Sequence, residues 1–211
     1  MKIGILGGTF NPPHIGHLRL AEEAAYNHGL KKVIFVPCYT PPHKNSGEIA
    51  PPERRLEMTV LSCQDNPLFE VSDIELRLEG PSYTYRTLEK FSEDTENEYF
   101  FIIGADSLSE IQTWKNYLRL FELSSFIVVE RPDMDFDLVW KHVPIDLASR
   151  FTVLNGVLTH ESSKLLIKSP VNGLNISSTQ IREIVSSGKS IRYLTHDAVT
   201  DYIEKKKLYR I

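Results

Sequence analysis

Two histidines three residues apart, His14 and His17, close the stretch Gly7-Gly8-Thr9-Phe10-Asn11-Pro12-Pro13-His14-Ile15-Gly16-His17. Glycines let main-chain N–H groups approach a ligand, and a helix N-terminus carries partial positive charge. A strand ending in Gly7-Gly8, a tight loop and then a helix therefore make a phosphate-binding arrangement. From the mouth of that helix both imidazoles can point at one phosphate. A neutral ring donates a hydrogen bond, and a protonated one adds charge stabilisation to a pentavalent transition state. Each piece alone has a plainer use: a GG turn often only connects elements, and HxxH can ligate a metal, although no third ligand stands at a suitable spacing. A second anion-binding element is Asn175-Ile176-Ser177-Ser178-Thr179-Gln180-Ile181-Arg182. Ser177 and Gln180 have capping-box spacing and mark a helix start. Its free N–H groups and hydroxyls would meet an anion, with Arg182 about one turn on, able to fork onto phosphate oxygens. Alone, these residues would read as a well-capped surface helix with an exposed arginine.

The elements that must carry these residues alternate in type, as in a parallel α/β sheet. Lys2–Leu6 predicts a first strand broken by Gly7-Gly8. His17–His28 predicts a helix with Leu18, Leu20, Ala21, Ala24 and Ala25 inward and Gly29 as C-cap. Val33–Val36 predicts a second strand, too apolar to face water on either side. Pro51–Gln64 predicts a helix with Leu56, Val60 and Cys63 on one face. Strands follow over Phe69–Leu76, Tyr99–Ile103 and Phe126–Val129, with a helix through Thr87–Phe91 between the first two. From Asp133 to Gly173 the pattern weakens, leaving a helix over Asp137–His142 and a strand over Phe151–Leu154. Asn175–Ser187 and Asp197–Lys206 predict two closing helices. The fold class expected is α/β: a doubly wound parallel sheet, Rossmann-like, in one domain over residues 1–211, with a small C-terminal helical portion from about 175.

Composition narrows the function classes. The 211 residues are 41% hydrophobic, with 24 basic and 28 acidic side chains and a net charge of −4. Such a chain can bury a core, and its mild acidity disfavours nucleic acid as a partner. No run approaches the ~20 apolar residues of a membrane helix, and Met1-Lys2 leads straight into a strand, so neither a membrane nor a signal peptide is expected. Two cysteines, Cys38 and Cys63, without CxxC, give no disulfide framework or structural zinc site. A cytoplasmic protein is expected.

GGTFxPxHxGH and ISSTxIR together resemble the first and second phosphate motifs of the (H/T)xGH nucleotidyltransferase superfamily, which also contains the class I aminoacyl-tRNA synthetases. His14–His17 spells HIGH, but neither a KMSKS-like loop nor an anticodon-binding region accompanies it in 211 residues. Further segments are similar to the bacterial nicotinate-nucleotide adenylyltransferase family. They are Pro41-Pro42-His43-Lys44, Arg54-Arg55-Leu56-Glu57-Met58, Ser82-Tyr83-Thr84-Tyr85-Arg86-Thr87-Leu88 and Ile102-Ile103-Gly104-Ala105-Asp106-Ser107-Leu108 followed by Trp114. The ending with Val199, Tyr202-Ile203 and Leu208-Tyr209 is similar too. Phosphopantetheine adenylyltransferase, a shorter relative, lacks the pairing of SYTxxTL with GAD…W.

The resemblance implies adenylyl transfer from ATP to nicotinate mononucleotide, giving deamido-NAD and pyrophosphate. It implies that His14, His17 and Arg182 are catalytic. Gly7, Gly8, Thr9, Phe10, Gly16, Lys44, Gly104, Asp106, Ile176, Ser177, Ser178 and Thr179 would line the ATP and phosphate site. Trp114 would stack on the pyridine ring. Because a carboxylate only accepts hydrogen bonds, its pocket needs N–H donors. The resemblance gives that task to main-chain amides near Tyr85 and Lys115, with Thr84 close by. Plainer readings stay open: Trp114 as a packing residue, Asp106 as a helix N-cap, Lys44 as an exposed loop lysine. Mg²⁺ would come with the ATP phosphates and need few or no protein ligands.

Asn11 stands where the family frequently has Asp, removing a charge but keeping a turn-forming shape. Cys38 stands where relatives tend to be polar, which leaves a ribose contact there open. Pro41–Pro52, with Gly47, would be a lid. Homo-oligomer formation is left open. Two other functions fit the same motifs: adenylylation of nicotinamide mononucleotide or another phosphorylated acceptor, and a non-catalytic adenine-nucleotide-binding module. The net charge of −4 is an average, and a cleft gathering His14, His17, Lys44 and Arg182 would be locally basic.

Overall fold

The first strand does not break at Gly7-Gly8 but pairs through both glycines in the computed structural model, which describes residues 1–42, 49–130 and 136–210. The element order is β1 (Lys2–Gly8), α1 (Ile15–His28), β2 (Lys32–Pro37), α2 (Pro52–Cys63), β3 (Phe69–Val71), α3 (Ile74–Leu78), α4 (Thr84–Ser92), β4 (Glu98–Gly104) and α5 (Ala105–Ser109). A 3₁₀ turn (Ile111–Thr113), α6 (Tyr117–Leu123), β5 (Ser125–Glu130), α7 (Phe136–Trp140) and α8 (Ile145–Ala148) come next. The chain ends with β6 (Phe151–Leu154), β7 (Val157–His160), β8 (Leu165–Pro170), α9 (Ser178–Ser186) and α10 (Asp197–Lys206).

The strands form one sheet in the order β3-β2-β1-β4-β5-β8-β7-β6. It is parallel from β3 to β8 and antiparallel at β8-β7-β6. Side chains alternate across a strand, so each apolar strand feeds two cores. Ile5, Val36, Phe101, Ile103, Phe126 and Val128 face α4 to α8. Leu6, Phe35, Phe100, Ile102, Ile127 and Val129 face Ala21, Ala24 and Ala25 of α1. Gly29 caps α1 at φ 64°, a left-handed turn that glycine adopts without a Cβ clash. A third cluster of Met58, Ile181, Ile191, Val199 and Ile203 fastens α9 and α10 onto α2. The doubly wound parallel sheet is as expected.

The structure corrects several local expectations. The strand expected over Phe69–Leu76 stops at Val71. The Ser72 hydroxyl accepts the Ile74 N–H (3.3 Å), and the Asp73 carbonyl accepts from Leu76 and Arg77, which turns the rest into α3. Here alternation of apolar residues lost to a Ser-Asp helix start. In α2 the inward face is Arg55, Met58, Thr59, Ser62 and Cys63, while Val60 of the expected stripe is exposed. The hydroxyls of Thr59 and Ser62 bond the carbonyls four residues back, so a partly polar face can be buried. The second motif's helix begins at Ser178, not Asn175. The weakly patterned region contributes α8, β7 and β8 beyond the helix and strand expected there, and α6 was also unforeseen. No helix among the described residues is long and apolar enough to cross a membrane.

His160 ends β7 at 2% exposure, against the rings of Phe121 and Phe151. Its Nδ1 accepts the Ser162 N–H (3.1 Å). Burial holds its pKa below the ordinary 6.5. The unfolded chain therefore takes up a proton that the folded chain refuses. This contribution is complete above pH 6.5 and is lost as pH falls toward the lowered folded value. We expect the melting temperature to fall between pH 6.5 and pH 5. In His160→Asn, which keeps an acceptor for the Ser162 N–H, that fall should be shallower. An identical slope in the variant would show that His160 is not its source.

Candidate active site

The first motif lies where the winding of the sheet reverses. β1 connects outward to β2, and after β3 the chain returns to pair β4 against the other side of β1, so a crevice opens beyond the carboxyl ends of β1 and β4. Into it runs the β1–α1 loop. A Cβ on Gly8 would sit 2.9 Å from the ring of Phe10, which explains glycine there. Phe10 has φ 47°, a left-handed conformation costly for an L-residue. It is held in place by burial, by Phe35 (centroids 5.8 Å) and by the ring of His17 edge-on at 5.1 Å.

His14 is the N-cap of α1 and His17 its third residue. The His17 Nδ1 accepts the His14 main-chain N–H (3.2 Å), and the two rings stack at 3.7 Å and 28°. A neutral imidazole has one N–H, so a Nδ1 used as acceptor puts the hydrogen on Nε2. A Cβ on Gly16 would fall 3.0 Å from His14 Nδ1, so glycine makes room for the stacked ring. The expected pair of histidines is thus assembled, with His14 buried and His17 half-buried.

The second motif meets the first directly. Ser177 caps α9 in the expected box: its hydroxyl accepts the Gln180 N–H (3.2 Å), and Gln180 Oε1 accepts the Ser177 N–H (3.0 Å). The Ser178 hydroxyl donates to the Pro12 carbonyl (2.8 Å). Arg182 donates to the Asn11 carbonyl (3.1 Å) and to the Thr179 hydroxyl (3.4 Å). Ile176 is half-buried beside them and packs on the third core cluster. Asn11 does more than keep the turn. Its Oδ1 accepts the Ala50 N–H (3.0 Å) and the Tyr209 hydroxyl (2.8 Å), whose pKa burial pushes up so that it stays a donor.

At the end of β4, Gly104 is the N-cap of α5 and Asp106 its second residue, so the N-cap reading of Asp106 is corrected. Asp106 folds back: a Cβ on Gly104 would lie 2.1 Å from its Oδ1. Thr84 and Tyr85 open α4, with Tyr83 as N-cap. Tyr85 and Trp114 pack on the same core cluster, Trp114 edge-on to Phe101 at 6.3 Å and half-buried, next to exposed Lys115. Lys44 and half of the lid segment, residues 43–48, fall outside the described residues. Cys38 is buried, its sulfur accepting from Arg55 (3.4 Å), and burial raises its pKa; it is a packing residue at this loop.

Sequence reasoning gave no role to Arg55, which it named only within the segment Arg54–Met58, or to Glu75. Arg55 is 1% exposed and bonds four main-chain carbonyls; Glu75 is buried and accepts the Thr87 hydroxyl (2.6 Å). The signal for Arg55 was its place three and four residues before Met58 and Thr59, on the inward stripe of α2.

Comparison with known proteins follows this geometry. The family model described as cytidylyltransferase-like matches residues 5–184. A "probable nicotinate-nucleotide adenylyltransferase" of Syntrophotalea carbinolica is 42% identical, covering 100% of this chain and 98% of that protein. One of Geotalea daltonii is 43% identical over 99% and 98%. The fold is shared with the nicotinic acid mononucleotide adenylyltransferase of Plasmodium falciparum, solved with APC and with NaAD. Both structures give a TM-score of 0.73 at 20% identity, covering 99% of this chain and 96% and 97% of theirs. The chain belongs to the cytidylyltransferase-like family and, within it, to the nicotinate-nucleotide adenylyltransferases.

Proposed function

We propose that this enzyme transfers the adenylyl group of ATP to nicotinate mononucleotide, giving deamido-NAD and pyrophosphate in NAD biosynthesis. The observation that carries the proposal is the docking of α9 on the β1–α1 loop, through Ser178 to Pro12 and Arg182 to Asn11, beyond the carboxyl ends of the parallel strands. Two anion-binding helix starts thereby share one polyphosphate. The mononucleotide's phosphate oxygen attacks the α-phosphorus in line, and the bond from that phosphorus to the bridging oxygen of pyrophosphate breaks. A phosphate monoester with a second pKa near ~6 is already the nucleophile at neutral pH, so no general base is required. Catalysis is positioning plus charge stabilisation.

In this reading His14 and His17 hold the α- and β-phosphate region, with the Nε2–H of His17 as the donor. The backbone of Gly7 to Phe10, made close-fitting by Gly8 and Gly16, lines the nucleotide. Ser177, Ser178, Thr179 and Arg182, with Ile176 beside them, hold the leaving pyrophosphate. Asp106, seated over Gly104, accepts from a ribose hydroxyl, and Lys44 neutralises phosphate charge. Trp114 stacks on the pyridine, and the amides near Thr84, Tyr85 and Lys115 bind its carboxylate. Mg²⁺ enters with ATP as part of the substrate. The reaction takes place in the cytoplasm, with neither nucleic acid nor membrane as partner.

Pyrophosphate release with ATP alone, with added nicotinate mononucleotide and with nicotinamide mononucleotide tests this. Release should require an acceptor, and kcat/KM should favour the acid. Preference for the amide would reassign the acceptor, and binding of ATP without release under any condition would make the protein a nucleotide-binding module. Trp114→Ala should raise the nicotinate mononucleotide Kd about tenfold or more, as loss of ring stacking does, and leave the Kd of a non-hydrolysable ATP analogue unchanged. Titration calorimetry reads both. An unchanged acceptor Kd would remove the stacking role.

A further inference from the structure

Arg55 lies under the site rather than in it. A buried cation is costly, and a well-packed apolar side chain is often no worse for stability. What a guanidinium adds is a rigid planar fork of donors. Here the fork converges on main chain from three segments. Nε donates to the Ala50 carbonyl (2.9 Å), one terminal nitrogen to Thr9 (3.0 Å) and Cys38 (2.6 Å), and the other to Tyr39 (2.8 Å). Thr9 belongs to the donor-phosphate loop after β1; Cys38 and Tyr39 follow β2.

A trans peptide is planar, with C=O and N–H pointing opposite ways. Drawing the Thr9 carbonyl toward Arg55 turns the Phe10 N–H away from it. The same holds between Cys38 and Tyr39, and there the partner is visible: the Tyr39 N–H donates to the Ser82 hydroxyl (2.8 Å). Ser82 is the first residue of the acceptor segment Ser82–Leu88. Its own N–H is held by the Thr40 carbonyl (2.9 Å); burial raises the Glu75 pKa, and the hydroxyls of Thr87 and Ser82 oppose that rise. Glu75 in turn accepts from Thr87 of α4 (2.6 Å). A polar chain therefore runs from the donor loop through Arg55 and the Cys38–Tyr39 peptide to Ser82, two residues before Thr84, which with Tyr85 opens α4.

We propose that Arg55 is a positioning residue for adenylyl transfer, fixing the donor-phosphate loop and the Ser82–Leu88 acceptor segment in one register through the Cys38–Tyr39–Ser82 relay. This rests on the assignment of those two segments to ATP and to the mononucleotide. In-line displacement is sensitive to such register, because a misplacement of about 1 Å costs on the order of 10²-fold in rate. Two loops that each still bind their own ligand, but out of register, lose turnover rather than affinity.

The test is a double-mutant cycle in the full chain with Arg55→Lys, which keeps the charge and loses the fork, and Ser82→Ala, which removes the acceptor of the Tyr39 N–H. Wild type is assayed first on nicotinate and nicotinamide mononucleotides, and the cycle is run on whichever it adenylylates. A wrong acceptor assignment thus shows in wild type, and a wrong relay only in the variants. Arg55→Lys should lower kcat tenfold or more, with the Kd of a non-hydrolysable ATP analogue and of the mononucleotide each within about threefold. Ser82→Ala should lower kcat about fivefold, and the double variant should be no worse than Arg55→Lys. Losses that multiply, a kcat near wild type, or a loss of both affinities in step with the unfolded fraction seen by circular dichroism would overturn the proposal. Should Arg55→Lys not fold, Ser82→Ala decides: a lowered kcat with both Kd values within about threefold supports the relay, and a kcat near wild type overturns it.

Discussion

Replacing His17 by alanine is expected to lower kcat about 10²–10³-fold, the scale for losing one preorganised transition-state donor. The geometry specifies which atom is lost. Nδ1 is occupied by the His14 N–H at 3.2 Å, so the neutral ring carries its hydrogen on Nε2. The stack against His14 and the edge contact with Phe10 hold the ring still, so no reorganisation is needed when charge develops on the phosphorus. Alanine would remove a helix-capping interaction as well as the donor. His17→Asn separates the two: its side-chain oxygen can accept the His14 N–H, but it has no N–H where Nε2 was. We expect His17→Asn to melt closer to wild type than His17→Ala while losing nearly as much kcat. Near-normal turnover in either variant would remove His17 from the chemistry. Recovery of activity together with stability in the Asn variant would make it a capping residue only.

What could be read in advance was local. The spacing of His14 and His17 and the Ser177–Gln180 box both act within a few residues, so sequence order and spatial order coincide there. The long-range partners of the same residues were hidden. Asn11 could be read as a turn former, but its oxygen is satisfied by Tyr209, 198 residues away. The inward stripe of α2 was misplaced because apolarity was used to find it, and this helix buries Arg55, Thr59 and Ser62 against main-chain carbonyls. β8 escaped notice although it is the sixth parallel strand. Lys168 and the Glu161–Lys164 hairpin dilute its apolar pattern, and only pairing with β5 reveals it. Phe69–Leu76 alternated well enough for a strand, yet Ser72 and Asp73 supplied local acceptors that a helix start could use.

Gly104→Ala should cost about 10²-fold in kcat/KM for ATP, although the residue has no side chain to contribute. Its backbone, at φ −76° and ψ 156°, suits any amino acid, so strain is not the reason for glycine. The reason is the carboxylate of Asp106, whose Oδ1 would lie 2.1 Å from the new methyl group, well inside van der Waals contact. Asp106 must therefore swing out of the place it holds at the end of β4, where the proposed ribose hydroxyl would meet it. Asp106→Ala should cost a similar factor by deleting the acceptor outright. In the Asp106→Ala background the methyl has nothing to strike, so adding Gly104→Ala should change kcat/KM less than twofold. If the glycine substitution is equally harmful in both backgrounds, its effect runs through the main chain and not through Asp106. If Gly104→Ala is harmless by itself, the seat of the carboxylate is irrelevant to ATP, and Asp106 loses its place among the binding residues.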